Sequence, residues 1–253
     1  MHVEAIYVAP VKSLALQPVE RADVSKAGIS GDRAFFMIDA EGRLLTQRDH
    51  FPLVRVAAAF APTMNRLSLS FPDRVVSGTV ERGEAAVTPF WGGRPVEGHL
   101  VRGPWSEALS TFAGRAIRLV QPAPGQSFDG FPLSMCSMES LGALARAAGV
   151  EGVDGRRFRQ NVYISGTEDA HAEDGWIGRE VRIGSTLVRV KQQDERCVVT
   201  TRSPDTGEHD LNTLKIIATY RAGEDKVKGV HFGVYCTVVA PGEIAVGDEV
   251  APQ

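Results

Sequence analysis

The stretch EVRIGSTLVRVK, residues 180–191, decides the fold class of this 253-residue chain. Val181, Ile183, Leu187 and Val190 are among its apolar residues, and a Gly-Ser pair between them supplies a turn. Short apolar runs on either side of a glycine-containing turn are typical of a β-hairpin. The stretch therefore predicts two antiparallel strands that form one arm of a barrel-like sheet.

The rest of the chain repeats this pattern of short strands joined by turns. Its 26 glycines and 14 prolines exceed the average share of these residues in soluble proteins and favour a turn-rich fold. Further strands are predicted at residues 3–8, 34–38, 67–71, 162–164 and 234–239. Strands near both ends of the chain, with few helices between them, disfavour a doubly wound sheet, which needs alternating strands and helices.

Three helices are predicted among the strands. Proline favours the first turn of a helix, serine or asparagine caps its N-terminus, and glycine ends it. On these signals the helices run from Gly103-Pro104 to Gly114, from Ser137 to Gly149, and from Asn212 to near Gly223. The predicted class is mainly β (α+β), with a few short helices. A change of character near residue 100 predicts two regions, residues 1–100 and 101–253.

Charge and composition exclude several classes of protein. The 28 Lys and Arg residues against 31 Asp and Glu residues give a net charge of −3, whereas a nucleic-acid-binding protein needs a basic surplus. No apolar run is long enough to predict a membrane span. The first residues lack the pattern of a signal peptide, and three cysteines are too few for a disulfide scaffold. We therefore expect a reduced, cytoplasmic protein.

The three cysteines differ in their surroundings. Cys136 and Cys236 lie among apolar residues and are predicted to be buried packing residues. Cys197 directly follows Arg196, and a neighbouring guanidinium favours the thiolate, the form that attacks or binds metals. The absence of a C-x-x-C pair disfavours a zinc site. A Cys-His nucleophilic site stays open, because such partners meet in space rather than along the chain.

Several basic and amide residues lie next to turns. Lys12-Ser13 follows the first strand, Arg33 closes a glycine-rich turn, and Arg159 and Asn161 share one short segment. A single such arginine is most often solvated or paired with a carboxylate. Several together could instead converge on an anion, because arginine offers forked donors to phosphate oxygens. The spacing along the chain leaves both interpretations open.

In their order along the chain, these pieces resemble the MOSC-domain proteins, in the longer form that carries an N-terminal β-barrel region. Within that family they are similar to the amidoxime-reducing components. The N-terminal motifs are PVKS (10–13), GDR (31–33) and LTQR (45–48). The MOSC motifs are FDGFP (128–132), RFRQNV (157–162), EDGW (173–176), RC (196–197), FGVY (232–235) and GEIAVGD (242–248). The resemblance implies a β-barrel-like MOSC domain packed on an N-terminal β-barrel-like region.

The resemblance also implies a cofactor and its site. The cofactor is the molybdenum cofactor, held in a cleft between the two regions. In the family the cysteine of the Arg-Cys pair ligates molybdenum, which makes Cys197 the implied metal ligand and catalytic residue. The implied cofactor-binding residues are Lys12, Ser13, Arg33, Gly130, Phe131, Arg159, Asn161, Arg196, Cys197 and Tyr235.

The implied activity is an oxidoreductase that reduces small N-hydroxylated compounds. The chain has no C-x₄-C-x₂-C pattern for a plant-type iron–sulfur cluster. Electrons would therefore come from a separate reductase that carries flavin or iron–sulfur. An alternative interpretation is a molybdenum cofactor or sulfur carrier that uses a persulfide on Cys197.

Two positions depart from the family pattern. The usual Arg-Pro-Asn reads Arg159-Gln160-Asn161, and Asp194-Glu195 precedes the Arg-Cys pair where relatives often have Cys-Ser or a similar pair. We expect these two carboxylates to lie near the metal and to bear on the choice of substrate.

Overall fold

The computed structural model describes residues 1–222 and 229–253. The mainly β class predicted from the sequence is confirmed, since strands dominate and three α-helices lie among them in the described residues. The strands are β1 (His2–Val8), β2 (Gln17–Val19), β3 (Arg21–Ser25), β4 (Gly28–Ile29), β5 (Phe36–Ile38), β6 (Leu44–Leu45), β7 (Ala57–Ala61), β8 (Arg66–Ser70), β9 (Val75–Thr79), β10 (Glu81–Pro89), β11 (Pro95–Arg102), β12 (Arg118–Pro122), β13 (Leu133–Ser137), β14 (Val162–Ser165), β15 (Glu180–Ile183), β16 (Thr186–Glu195), β17 (His231–Ala240), β18 (Gly242–Ala245) and β19 (Val250–Pro252). The helices are α1 (Trp105–Ala113), α2 (Met138–Ala148) and α3 (Thr213–Tyr220).

The largest sheet has eight strands in the order β19-β15-β16-β17-β13-β14-β1-β2. The predicted hairpin of residues 180–191 is strands β15 and β16, which pair antiparallel around the Gly-Ser turn. Strand β16 continues to Glu195, so the hairpin ends just before Cys197. Strands β13 and β14 are parallel, and β1 pairs antiparallel with β14. The N-terminal strand is therefore part of the sheet that the C-terminal residues build.

Three smaller sheets complete the architecture. Strands β10-β11-β12-β5-β6 form a five-stranded sheet, while β18-β3-β4 and β7-β8-β9 form three-stranded ones. Strand β12 pairs with β5, and β18 pairs with β3, so early and late segments share sheets. The division into residues 1–100 and 101–253 stays a prediction.

Helices α1 and α2 begin and end where their local signals predict, and α3 begins where its cap predicts. The Ser137 hydroxyl accepts a hydrogen bond from the backbone N–H of Ser140 at 3.2 Å and caps α2. Gly114 and Gly149 close α1 and α2 with φ angles of 65° and 69°, which glycine adopts without strain. Asn212 caps α3, which ends at Tyr220. Gly223, the predicted end, lies outside the described residues.

A buried carboxylate joins α2 to the eight-stranded sheet. Glu173 is fully buried. It accepts hydrogen bonds from the Ser137 backbone N–H at 3.2 Å and from the Ser137 and Ser140 hydroxyls, each at 2.9 Å. Because a buried carboxylate is costly without donors, these three bonds fix the position of the α2 N-terminus against the segment that carries Glu173.

Two parts of the strand prediction need correction. The strand expected at residues 34–38 begins at Phe36, because Arg33 adopts a φ of 48° that interrupts extended backbone. The long hairpin of β10 and β11 was not expected. Strand β10 is mostly solvent-exposed, contains charged residues and lacks the apolar alternation that would predict a strand. Among the described residues, no helix is long and apolar enough to cross a membrane.

Candidate functional site

One cavity collects almost all of the residues that the resemblance marks. Its volume is about 950 Å³ including its open mouth. Nine predicted residues line it: Lys12, Ser13, Arg33, Phe131, Arg159, Asn161, Arg196, Cys197 and Tyr235. Gly130 does not line the cavity. A Cβ atom at this position would lie 3.1 Å from the Tyr235 ring. Its lack of a side chain therefore leaves room for that ring.

Three wall residues hold backbone conformations that are rare for residues other than glycine. Ser13, Arg33 and Arg159 have φ angles of 75°, 48° and 56°. Such conformations are costly and cluster at functional sites, because they aim side chains that regular structure would turn away. Two of these three residues, Arg33 and Arg159, place cationic side chains at the cavity, and their strained backbone accompanies that placement.

Arg159 is a cation of the wall whose hydrogen bonds to the described residues go only to neutral acceptors. Its guanidinium donates to the Leu14 carbonyl at 2.8 Å, and its other contact, to the Gln47 amide oxygen, is 3.5 Å long. No carboxylate of the described residues lies within 4.0 Å of it. Burial, and then repulsion from Arg33 and Arg196, lowers the pKa of Arg159 to about 10. An anion in the cavity would relieve both effects.

Lys12 is another cation in the wall of this cavity. The buried Nζ atom of Lys12 is 2.7 Å from Oδ1 of Asp129, and the Trp91 indole N–H donates to the same oxygen at 2.7 Å. The Asp129 side chain is about half exposed. Against partial desolvation, Lys12, the Trp91 N–H and then Arg33 hold the pKa of its carboxyl well below its usual range. Burial lowers the pKa of Lys12. The Asp129 carboxylate thus sits where Lys12 could hold an anionic ligand.

Asn161 positions other groups. Its amide donates to the Tyr7 carbonyl at 3.2 Å and to the Asp32 carboxylate at 3.0 Å. Its side-chain oxygen accepts from the Ser134 backbone N–H at 3.2 Å. Asp32 in turn pairs with the Arg33 guanidinium. Both amide donors of Asn161 are occupied by the protein, so this residue holds Arg33 in place rather than offering donors to a ligand.

Arg196 and Asp194 form a buried ion pair beside the cavity. The same guanidinium donates to the Phe158 carbonyl and lies over the Phe158 ring. Burial raises the pKa of Asp194, while the Arg196 charge opposes that rise. Nε of Arg196 is buried and has no hydrogen-bond partner among the described residues. Asp194 is thus paired with its neighbour, while the exposed Glu195 lies at the cavity wall.

Cys197 lies between the long strand β16 and a 3-10 turn, Val198–Thr201. Its carbonyl accepts hydrogen bonds from the Thr200 backbone N–H at 3.1 Å and from the Thr200 hydroxyl at 3.0 Å. The thiol is free and only partly buried, whereas Cys136 and Cys236 are fully buried. The predicted distinction between the three cysteines is confirmed for their burial. Cys197 is the cysteine that a ligand in the cavity can reach.

Two aromatic rings form an apolar part of the wall. Phe131 and Tyr235 lie with ring centroids 5.8 Å apart. Burial, and then the Asp194 carboxylate, raises the pKa of the Tyr235 hydroxyl well above its usual range. Tyr235 therefore stays a neutral hydrogen-bonding group at the edge of the cavity.

Sequence reasoning missed Asp129 and Trp91. Asp129 stands directly before Gly130 and Phe131 in the FDGFP motif, so its position in that motif was the available signal. Trp91 lies in a 3-10 turn between β10 and β11, and the Arg48 guanidinium lies over its ring at 4.6 Å. No pattern along the chain links residue 91 to this site, because the contact depends on how the hairpin folds back.

The described parts of the chain, residues 1–222 and 229–253, contain no group of three or more His, Cys, Asp or Glu side chains that could hold a metal ion. The wall instead offers one accessible thiol and a set of cations. Such a donor set suits a ligand with an anionic end and a centre that prefers sulfur.

Comparison with known proteins shows to which proteins this chain is similar. The chain is 28% identical to mitochondrial amidoxime-reducing component 1 of Xenopus laevis, over 98% of this chain and 81% of that protein. It is 29% identical to human mitochondrial amidoxime-reducing component 1, over 98% of this chain and 82% of that protein. It is also 23% identical to molybdenum cofactor sulfurase 2 of Aedes aegypti, over 95% of this chain but only 31% of that protein.

Family comparison assigns both halves of the chain. Residues 1–87 match the MOSC N-terminal beta barrel domain. Residues 125–251 match the MOSC domain and include Arg159, Arg196, Cys197 and Tyr235. The resemblance expected from the sequence motifs is confirmed, and the chain belongs to the MOSC domain family.

Proposed function

We propose that this protein is a molybdenum-cofactor-dependent oxidoreductase that reduces N-hydroxylated compounds, with Cys197 as the protein ligand of molybdenum. One observation carries the proposal. A partly exposed thiol shares a single cavity with Lys12, Arg33 and Arg159. The similarity to amidoxime-reducing components supports the same reaction class.

The donor set of the cavity fits the cofactor. A pterin phosphate needs several cations, and Arg159 supplies a charge that no described carboxylate balances within 4.0 Å. Molybdenum prefers soft ligands, and the Cys197 thiol is the accessible sulfur of the wall. Lys12 and Arg33 would hold the phosphate, and Cys197 would hold the metal.

When bound, the cofactor supplies two-electron chemistry that removes oxygen from an N–OH group. The chain positions the reactants. Arg196 stays charged beside Cys197, because the pair with Asp194 raises the pKa of its guanidinium against the effect of burial. Phe131 and Tyr235 cover one side of the cavity and restrict water there.

Electrons would come from a separate flavin- or iron–sulfur-containing reductase. Cys136 and Cys236 are both fully buried in the core, which leaves Cys197 as the accessible thiol of the chain. An iron–sulfur cluster of the common type takes four cysteine ligands. We therefore assign electron delivery to a partner.

Metal content combined with metal coordination tests the proposal. Protein made in a host that synthesises the molybdenum cofactor should contain molybdenum and reduce benzamidoxime with reduced methyl viologen as electron donor. Cys197→Ser should abolish reduction and, by X-ray absorption, remove one sulfur neighbour from molybdenum. Cys236→Ala, the matched control, should keep both properties. Wild-type protein without molybdenum, or an unchanged sulfur shell in Cys197→Ser, would overturn the proposal.

A second candidate is a cofactor or sulfur carrier that uses a Cys197 persulfide. The similarity to a molybdenum cofactor sulfurase favours it. Incubation with a pyridoxal-phosphate-dependent desulfurase and cysteine should then add one sulfur atom to Cys197, which mass spectrometry detects. Absence of the added mass argues against this candidate.

A further inference from the structure

A second cavity adjoins the first. Its volume is about 680 Å³ including its mouth. Gln47, Arg157, Arg159 and Val199 line both cavities, so the two spaces are neighbours that share part of their wall. Nothing in the cofactor assignment uses the remainder of this second space.

Arginines dominate the wall of the second cavity, and one carboxylate accompanies them. The arginines are Arg55, Arg156, Arg157, Arg159 and Arg202, and the carboxylate is Asp205. The remaining wall is largely apolar. Its apolar residues are Ala15, Leu16, Val54, Val199 and Pro204.

Two of the five arginines are neutralised within the protein. Arg156 pairs with Asp154 at 2.5 Å and with Asp205 at 2.9 Å. Arg157 is buried and makes two parallel hydrogen bonds to Asp210, each 3.0 Å long. These two arginines therefore contribute structure rather than free charge.

The other three arginines are not paired with a carboxylate of the described residues. Within the described ranges, residues 1–222 and 229–253, no carboxylate lies within 4.0 Å of Arg55, Arg159 or Arg202. Nε of Arg202 is buried and has no hydrogen-bond partner in these ranges. The Arg202 guanidinium lies over the Phe51 ring at 3.9 Å, which fixes its plane. A guanidinium whose plane is fixed and which has no carboxylate partner among the described residues is suited to an anion.

One 3-10 turn and its flanking residues contribute to the walls of both cavities. Cys197 precedes the turn Val198–Thr201, and Arg202 follows it. A rise of roughly 2 Å per residue places Arg202 about 10 Å along the chain axis from Cys197. This spacing fits a small molecule that spans both spaces.

We propose that the second cavity binds the anionic group, a carboxylate or phosphate, of a small substrate whose reactive end lies at Cys197. Arg202 and Arg55 are its specificity-determining residues. That the reactive end of the substrate lies at Cys197 rests on the proposed function. The binding of an anion in the second cavity does not, because it depends only on the arginines there.

Kinetics with a matched pair of substrates tests the specificity. Benzamidoxime is neutral at its far end, and 4-(carboxymethyl)benzamidoxime carries a carboxylate there. Wild-type holoenzyme should show a KM for the acid lower by about tenfold or more, as expected for a charge-assisted hydrogen bond. Arg202→Gln should bring the ratio of the two KM values close to one, and Arg202→Lys should keep part of it. Arg182→Gln, at an exposed position on β15 away from both cavities, should leave the ratio unchanged.

Binding without turnover separates this inference from the proposed function. Calorimetry on wild-type holoprotein compares benzamidine with its 4-carboxymethyl and 4-phosphonomethyl derivatives. Tighter binding of either anion, lost in Arg202→Gln and weakened in Arg55→Gln, supports the site even if no amidoxime is reduced. Equal affinity for the neutral and both anionic compounds in wild-type protein overturns it.

Discussion

The side-chain amide of Gln160 donates a hydrogen bond to the buried Asp194 carboxylate across 3.1 Å. At each of these positions the resemblance to the MOSC-domain proteins implies a different residue, and the structure brings the two positions into contact. Proline, the residue that the resemblance implies at position 160, has no side-chain donor. The carboxylate at position 194 is therefore accommodated by the donor at position 160 as well as by Arg196.

Gln160→Ala should lower the free energy of unfolding by about 1–3 kcal/mol, because it leaves a buried carboxylate with one donor fewer. Urea denaturation of the single variant, of Asp194→Asn and of the double variant measures the coupling between the two positions. We expect the double variant to lose less than the sum of the single losses. Strictly additive losses would show that the contact contributes nothing.

Arg159→Gln should separate ligand binding from stability. Its guanidinium has no carboxylate partner and is repelled by Arg33 and Arg196, so the free energy of unfolding should stay within about 1 kcal/mol of wild type. Molybdenum retention should nevertheless fall. Metal analysis and denaturation on the same preparations check both outcomes.

Arg157→Gln is the contrasting variant. Arg157 is buried and donates to two backbone carbonyls and to both oxygens of Asp210. Its loss should cost about 2 kcal/mol or more, because several buried acceptors lose their donor. Equal stability of the Arg157 and Arg159 variants would contradict the distinction between a paired and an unpaired guanidinium.

Asp129→Asn should change how stability depends on pH. In the folded state Lys12 and Arg33 hold the pKa of this carboxyl well below its usual range. Its stabilising contribution is therefore present above the unfolded pKa of about 4 and is lost as pH falls through the lower folded pKa. Denaturation at pH 6 and pH 3 should show wild type and variant further apart at pH 6. A constant difference would indicate that Asp129 is not held by charge.

Glu173→Gln should destabilise the junction of α2 with the sheet. The carboxylate accepts three hydrogen bonds from Ser137 and Ser140. The amide nitrogen of glutamine is itself a donor and would face one of these three donors. The expected loss is about 1–3 kcal/mol. Glu168→Gln, at an exposed position nearby, is the control and should change the thermal midpoint little.

Local signals were sufficient for the features that depend on neighbouring residues. The hairpin of residues 180–191, the Ser137 cap and the glycine ends of α1 and α2 follow from turn and cap chemistry within a few residues. Cys197 was separated from the other cysteines by its adjacent arginine and its polar surroundings. The motifs also predicted nine of the residues that line the main cavity.

Contacts between distant segments were not accessible in this way. The pairing of Lys12 with Asp129 joins residues more than a hundred positions apart, and Trp91 reaches the same carboxylate from a third segment. The occupied donors of Asn161 were equally hidden, because its partners Tyr7 and Asp32 come from the N-terminal part of the chain. Sequence motifs identified wall residues but could not separate ligand contacts from supports.

The pairing of β1 with β14 has a consequence for how the protein matures in the cell. During synthesis the first strand leaves the ribosome long before its partner exists, and folding that depends on such distant pairing is slow. Lys12 and Ser13, a few residues after β1, can meet Arg159 and Cys197 only when the segment between residues 12 and 197 has been synthesised. Insertion of the proposed cofactor is therefore expected only after these distant segments have met.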